Sequence, residues 1–128
     1  MQNLESFKKL MRASIKFNPK GVLEWIDEVS GAGRERQKNF LAYALHILRE
    51  SIVMNFGNDS LVKLSNDEKE FVKNFSPYIH GNNIERFIDE LNKAYFHMER
   101  NANAKILFMD LAFKFNELLN IPKTATSE

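Results

Sequence analysis

The sequence is 128 residues long, 44% of its residues are hydrophobic, and it contains no cysteine. A chain of this length suits one domain with a single core, and the lack of cysteine excludes disulfides and thiolate metal sites. Eighteen basic and seventeen acidic residues leave a net charge of +1, whereas dedicated binders of nucleic acids or anionic membranes usually carry a stronger basic excess. No apolar run approaches the roughly 20 residues that span a bilayer, and we expect a cytoplasmic protein without membrane contact.

The spacing of apolar residues predicts helices and no strand in the first half of the chain. The first helix covers about residues 4–17. The second begins at Pro19, which Asn18 precedes as a cap, and it stops near residues 30–33. A third and longer helix runs over about 34–55. Apolar residues occupy more than half of its circumference, so we expect it to be central and packed on several sides.

Three further helices are predicted after a loop at about residues 56–64. The segment from Ser65 to Glu68 matches a capping box and opens a short fourth helix. The fifth helix covers about 83–100 and the sixth about 103–119. We therefore predict an all-α fold, a single compact bundle of about five to six helices over residues 1–122, followed by a flexible polar tail at 123–128.

The last two predicted helices carry more apolar surface than one core requires. In the sixth helix, seven apolar residues share the main face: Leu107, Phe108, Leu111, Ala112, Phe115, Leu118 and Leu119. Ile106, Met109 and Phe113 form a second apolar strip, and Phe96 of the fifth helix lies alone among polar neighbours. Either a neighbouring helix of the same domain covers these four residues, or they contact another protein. We take the four as candidates for a subunit interface.

No catalytic or cofactor-binding motif is found. The sequence lacks Gly-rich phosphate-binding loops, a nucleophile elbow, a zinc-protease motif and a calcium-binding loop. His46, His80 and His97 lie on three different predicted elements without a partner at ligand spacing, so no metal site is predicted. Asp27 and Glu28 point about 100° apart on a helix and do not face one substrate. We expect no enzymatic activity, no cofactor and no small-molecule substrate.

The glycine-containing turn before the third helix leaves two readings open. A glycine turn that leads into a helix start with Arg34 and Arg36 can hold a phosphate on free backbone amides. Alternatively, Gly31 or Gly33 ends the second helix in a left-handed conformation, and the arginines pair with Glu35 or solvent. We favour this second reading. In the same way, helix capping alone accounts for the two asparagines in the segment 100–104.

Three segments together carry a resemblance to a known family through their order and spacing. They are Gly-Arg-Glu-Arg-Gln-Lys-Asn-Phe-Leu at 33–41, Arg-Glu at 49–50, and Glu-Arg-Asn-Ala-Asn-Ala-Lys-Ile-Leu-Phe at 99–108. They resemble the C-terminal region of the delta-prime subunit of bacterial DNA polymerase III, of the Bacteroidetes type. The resemblance runs from about residue 7 to 119. The Asn-Ala-Asn-Ala run is similar to the one that opens the last helix in clamp-loader subunits. The residues that carry the resemblance are Arg34, Arg36, Gln37, Arg49, Glu50, Arg100, Asn101 and Asn103.

The resemblance implies a role in assembly. Clamp loaders are five-subunit, ATP-driven machines that open the sliding clamp and close it around primed DNA during replication. Their C-terminal helical domains pack into a collar that holds the five subunits together. This chain resembles only the collar domain, so the resemblance implies that the ATPase-type module lies upstream. The implied partners are the other clamp-loader subunits, and contact with DNA is expected to be weak or indirect.

Several alternatives stay open. Delta and delta-prime subunits end in related collar domains, so this region does not separate them. A stand-alone helical adaptor that binds a different partner fits the residues equally well. A small helical enzyme or ligand-binding bundle is a third hypothesis, and a deep pocket that converges on His46, Arg49 or His97 would favour it.

Overall fold

The computed structural model describes residues 2–55, 57 and 63–122. Over these residues the chain forms six α-helices and no strand, so the predicted all-α bundle is confirmed. The helices are α1 (Asn3–Ile15), α2 (Pro19–Ser30), α3 (Arg34–Asn55), α4 (Asn66–Phe75), α5 (Ile84–Glu99) and α6 (Ala104–Leu119), with a 3₁₀ turn at Ser76–Tyr78. Most of the predicted loop at 56–64 and the predicted tail at 123–128 lie outside the described residues.

The starts of α2 and α4 follow from local side-chain hydrogen bonds. At α2, the side-chain oxygen of Asn18 accepts a hydrogen bond from the Gly21 N–H at 3.3 Å, and Pro19 occupies the first turn. At α4, Ser65 and Glu68 form the predicted capping box: each side chain accepts from the other's backbone N–H, at 3.2 and 2.8 Å. These bonds satisfy amides that a helix start otherwise leaves unpaired.

The core forms around α3, which contacts α1, α4, α5 and the 3₁₀ turn, as its apolar circumference predicts. On the other side of the core, α6 packs against α1, α2 and α5. Trp25 and Phe108 are fully buried, and their rings meet edge to face with centroids 5.5 Å apart. The indole N–H of Trp25 donates to the Ser6 hydroxyl at 3.0 Å, which satisfies the one polar atom of that ring. Large aromatic contacts thus fix one face of α6 in the core.

Within the described residues, no helix combines the length and apolarity needed to cross a membrane.

Candidate protein-interaction surface

Apolar side chains lie on two opposite faces of α6. The inner face is packed into the core, with Leu107 partly buried and the other six predicted residues buried. Ile106, Met109 and Phe113, which we call the outer strip, lie on the opposite side of the helix. Ile106 is 71% exposed and Phe113 is 53% exposed, whereas Met109 is partly buried against the core. The outer strip is therefore an apolar surface on a helix that is already anchored by its other face.

The loop between α1 and α2 covers only one end of the outer strip. Phe17 stacks on Phe113, with ring centroids 5.0 Å apart and ring planes 11° apart. Phe113 nevertheless keeps half of its surface in solvent, and Ile106, two turns away, is more exposed still. One of the two explanations for the strip is that the domain itself covers it. This explanation applies in part to Phe113 and not to Ile106.

A groove of about 520 Å³ runs beside the outer strip, between α5 and α6. Its apolar lining includes Ala94, Leu107 and Leu111. Ile106 lines both this groove and a shallow depression of about 370 Å³ that extends along the strip to Phe113. The apolar surface is therefore continuous from α5 across the outer face of α6.

The two sides of the outer strip carry opposite charges. On the side of the groove, the carboxylates of Asp110 and Glu90 lie 3.4 and 3.5 Å from the Lys114 ammonium, so that two negative charges surround one positive charge. Burial lowers the pKa of Lys114, but the two carboxylates outweigh burial and raise it, so this lysine is charged at neutral pH. On the other side of the strip, Lys105 is exposed and has no ion-pair partner among the described residues. An approaching protein therefore meets an apolar strip with a carboxylate on one side and an ammonium on the other.

Phe96, the fourth candidate residue, lies on α5 and is 49% exposed. The guanidinium of Arg100 covers its ring at 3.6 Å from the centroid, a cation–π contact. Phe96 is not among the residues that line the groove or the depression on the outer strip. The structure thus groups Ile106, Met109 and Phe113 on one surface and gives Phe96 a separate partner.

Two of the residues that carry the family resemblance fix helix junctions. Arg34 donates from Nη1 to the backbone carbonyl of Met98 at 2.7 Å, which ties the start of α3 to the end of α5. Gln37 is buried and donates from its side-chain amide to the carbonyl of Val29 at 2.9 Å, which holds the end of α2. Both acceptors are carbonyls in the last turn of a helix, and each also accepts from a backbone N–H just beyond that helix, Val29 from Ala32 and Met98 from Asn101.

Other motif residues shape the turn between α5 and α6. Asn101 adopts a left-handed conformation with φ 64°, which asparagine tolerates better than most residues. The side-chain oxygen of Asn103 accepts from the Ile106 N–H at 3.0 Å and caps α6, as its position predicted.

The other motif residues lie on α3. Near the end of this helix, a Glu50 carboxylate oxygen accepts from the Lys63 N–H at 2.9 Å. The remaining motif arginines, Arg36 and Arg49, are exposed.

The glycine turn at 31–33 differs from the favoured reading in two respects. Gly33 has the positive φ, +92°, but its carbonyl accepts from the Gln37 N–H, so it opens α3 rather than ending α2. Gly31, with φ −86°, is the residue that ends α2. Arg34 is exposed, but its guanidinium donates to the Met98 carbonyl, a contact that the favoured reading did not include. This contact spans 64 residues and accounts for Arg34 without a bound phosphate.

The three histidines make unrelated contacts. A ring nitrogen of His46 lies 3.1 Å from the Lys63 carbonyl, and His97 lines the groove between α5 and α6. His80 is buried: its Nδ1 accepts from the Asn82 N–H and its Nε2 lies 3.1 Å from the Ile121 carbonyl. In the part of the chain that the structure describes, no group of three or more histidines and carboxylates is placed to hold a metal ion.

Sequence reasoning missed a buried polar junction between the start of α5 and the end of α6. The side-chain amide of Asn83 donates to the carbonyls of Tyr78 and Leu118, at 2.8 and 3.0 Å, and its oxygen accepts from the His80 N–H at 3.0 Å. The sequence indicates Asn83 only as the start of the fifth helix and His80 only as a histidine without a partner. Asn83 in fact fixes the position of α6 relative to α5, and so the groove between them.

No protein-family model, curated protein or solved structure matches the chain.

Proposed function

We propose that the chain is the C-terminal oligomerisation domain of a clamp-loader subunit, delta-prime-like, and that it acts without catalysis by holding subunits of the complex together. The observation that carries the interaction role is the outer strip of α6. Burying a large apolar side chain is worth roughly 1.5–3 kcal/mol relative to leaving it in water. Contact with a partner would gain part of this free energy, because Ile106 and Phe113 are still 71% and 53% exposed in the domain.

The choice of a clamp loader rests on the sequence resemblance at 33–41, 49–50 and 99–108. The structure is compatible with such a role because the strip lies on a firmly held helix. Asn103 caps the first turn of α6, and the inner face of the helix is anchored in the core. A rigid apolar helix face loses little conformational entropy on binding, which favours association.

The outer strip alone is too small for a stable complex. Each partner in a stable complex buries roughly 800 Å², and the strip offers two exposed side chains and one partly buried one. We therefore expect the contact to extend into the groove between α5 and α6. A collar position fits this arrangement. In a ring each subunit contacts two neighbours, so the strip and the groove together would form one of its two contact surfaces.

The proposal is tested by co-purification of the chain with the other clamp-loader subunits. Ile106→Glu should reduce assembly by about tenfold or more, because it places a charge at the centre of an apolar contact. Helicity and melting temperature should stay near wild type, since Ile106 lies in solvent. Met109→Glu is the less clean variant, because Met109 is partly buried and its substitution also perturbs the core.

Leu23→Glu is the matched control, since Leu23 is a 53% exposed leucine on α2 outside the outer strip. It should assemble like the wild type. Normal assembly of Ile106→Glu would show that the strip is not the interface. A wild-type chain that joins no clamp-loader subunit would contradict the clamp-loader assignment. Strip-dependent binding to an unrelated protein would then support the stand-alone adaptor instead.

A further inference from the structure

We propose that the outer strip also pairs weakly with a second copy of itself, with the two α6 helices side by side and parallel. This inference rests on the proposed use of the strip as a contact surface, but not on the identity of the other subunits. The charges beside the strip carry it, because they are complementary to those of a second copy in one orientation only.

The outer strip has the spacing of a coiled-coil seam. Ile106, Met109 and Phe113 are separated by three and then four residues, the spacing of successive a, d and a positions of a heptad. In this register Lys105 is a g position and Asp110 is an e position. At 100° per residue, each lies roughly 70° from the centre of the strip, on opposite sides. They occupy the positions from which charged residues set partner choice and orientation in helix pairs.

The charge order selects the parallel orientation. In a parallel pair, the g residue of one helix faces the e residue of the other, five positions later. Lys105 therefore faces Asp110 of the second copy, and two-fold symmetry makes this contact twice. In an antiparallel pair centred on Met109, the two e sides face each other, so that Asp110 would meet Asp110, while Lys105 would lie at the far end of the seam with no carboxylate opposite it. Opposite charges attract only in the parallel arrangement.

The pairing is expected to be weak. The seam covers two helical turns, well below the roughly 800 Å² per partner of a stable complex, and Asp110 is already 3.4 Å from Lys114 of its own chain. We expect a dissociation constant of about 0.1–1 mM. Since the same strip is proposed to contact a neighbouring subunit, assembly of the complex should displace the second copy.

Two charge variants test the pairing by sedimentation equilibrium at low ionic strength and chain concentrations up to about 1 mM. Lys105→Asp and Asp110→Lys each place like charges opposite each other, so each variant alone should self-associate roughly tenfold more weakly than the wild type. An equimolar mixture of the two should recover the association. In the mixture, the new carboxylate of one chain faces the new ammonium of the other, while the remaining lysine faces the remaining aspartate.

Asp89→Lys and Lys93→Asp serve as controls. Asp89 and Lys93 form an exposed ion pair at 3.1 Å on α5, so these variants make the same charge changes without touching the strip, and they should associate like the wild type. Circular dichroism verifies that every variant folds. Three results would each overturn the proposal: a monomeric wild type at 1 mM, single variants that associate as well as the wild type, or a mixture no tighter than its components. None of them bears on binding to other subunits, which Ile106→Glu tests separately.

Discussion

The two faces of α6 have similar apolar side chains but different surroundings. On the inner face, Phe108 meets Trp25, and the Phe115 ring meets Phe87 edge to face at 5.0 Å. On the outer strip, the aromatic contact is a single stacked phenylalanine at one end, and Ile106 lies in solvent. The inner face explains why the helix is folded in place. The outer strip packs against the domain only in part, at Met109 and through Phe17, and the surface left exposed at Ile106 and Phe113 is the basis of the proposed contact with a partner.

The largest expected effect comes from breaking the inner face. Phe108→Ala should lower the free energy of unfolding by about 3–5 kcal/mol, because it leaves a cavity among the Trp25 and Phe40 rings. Ile106→Ala, on the same helix, should change it by less than about 0.5 kcal/mol. Urea unfolding of both variants measures the contrast. Equal losses for the two variants would mean that the outer strip is part of the core.

A smaller effect is expected at the start of α6, where both faces depend on one cap. Asn103→Ala should cost about 1 kcal/mol, because it removes the acceptor of the Ile106 N–H. Asn103→Asp keeps an acceptor oxygen and should be nearly neutral. Urea unfolding gives the free energies, and hydrogen exchange of the Ile106 amide reports the local loss. Unchanged exchange in Asn103→Ala would show that the cap does not hold this turn.

The smallest effect is expected far from α6, at the hydrogen bond from the Tyr43 hydroxyl to the Glu68 carboxylate, 2.6 Å long. Burial raises the pKa of Glu68, but the bonds from Tyr43 and Ser65 outweigh it and hold the pKa below the ordinary 4.5. The ionised carboxylate therefore stabilises the fold above that pH, and the contribution is lost as the pH falls through the folded-state pKa.

Tyr43→Phe removes the donor of this hydrogen bond. It should cost roughly 0.5–1 kcal/mol at pH 7, less than the roughly 1.5–3 kcal/mol of a bond to a charged group, because Glu68 is partly exposed. The cost should shrink as the pH falls below 4.5 and through the lowered pKa of Glu68 in the folded state. Unfolding curves at several pH values measure this dependence. Assembly through the outer strip should not change, so a loss of assembly in Tyr43→Phe would show that stability and binding are not separable in this domain.

Local signals in the sequence were sufficient for the helices and for the outer strip. The capping box at Ser65 and Glu68 and the cap at Asn103 involve residues three positions apart, so their spacing is visible along the chain. The exposure of Ile106 follows from the width of the inner face, which is sufficient to bury α6. Helical periodicity reports which residues share a face, and here the shared face of Ile106, Met109 and Phe113 is borne out in the structure.

Contacts between residues distant in sequence could not be predicted in the same way. The bond from Arg34 to the Met98 carbonyl spans 64 residues, and the stack of Phe17 on Phe113 joins a loop to the last helix. Neither leaves a periodic signal, because each depends on how the helices pack. For the same reason the partial burial of Met109 could not be predicted from the sequence, and Ile106 is the cleaner position for a test.

If the outer strip contacts another subunit, water should leave it on assembly. Because the chain has no cysteine, Ile106→Cys provides a single thiol for a polarity-sensitive fluorophore. On addition of the other clamp-loader subunits, the emission should shift to the blue as water leaves the strip, whereas Leu23→Cys on α2 should show no shift. An unchanged emission at position 106, in a mixture that assembles by sedimentation, would contradict the proposed contact.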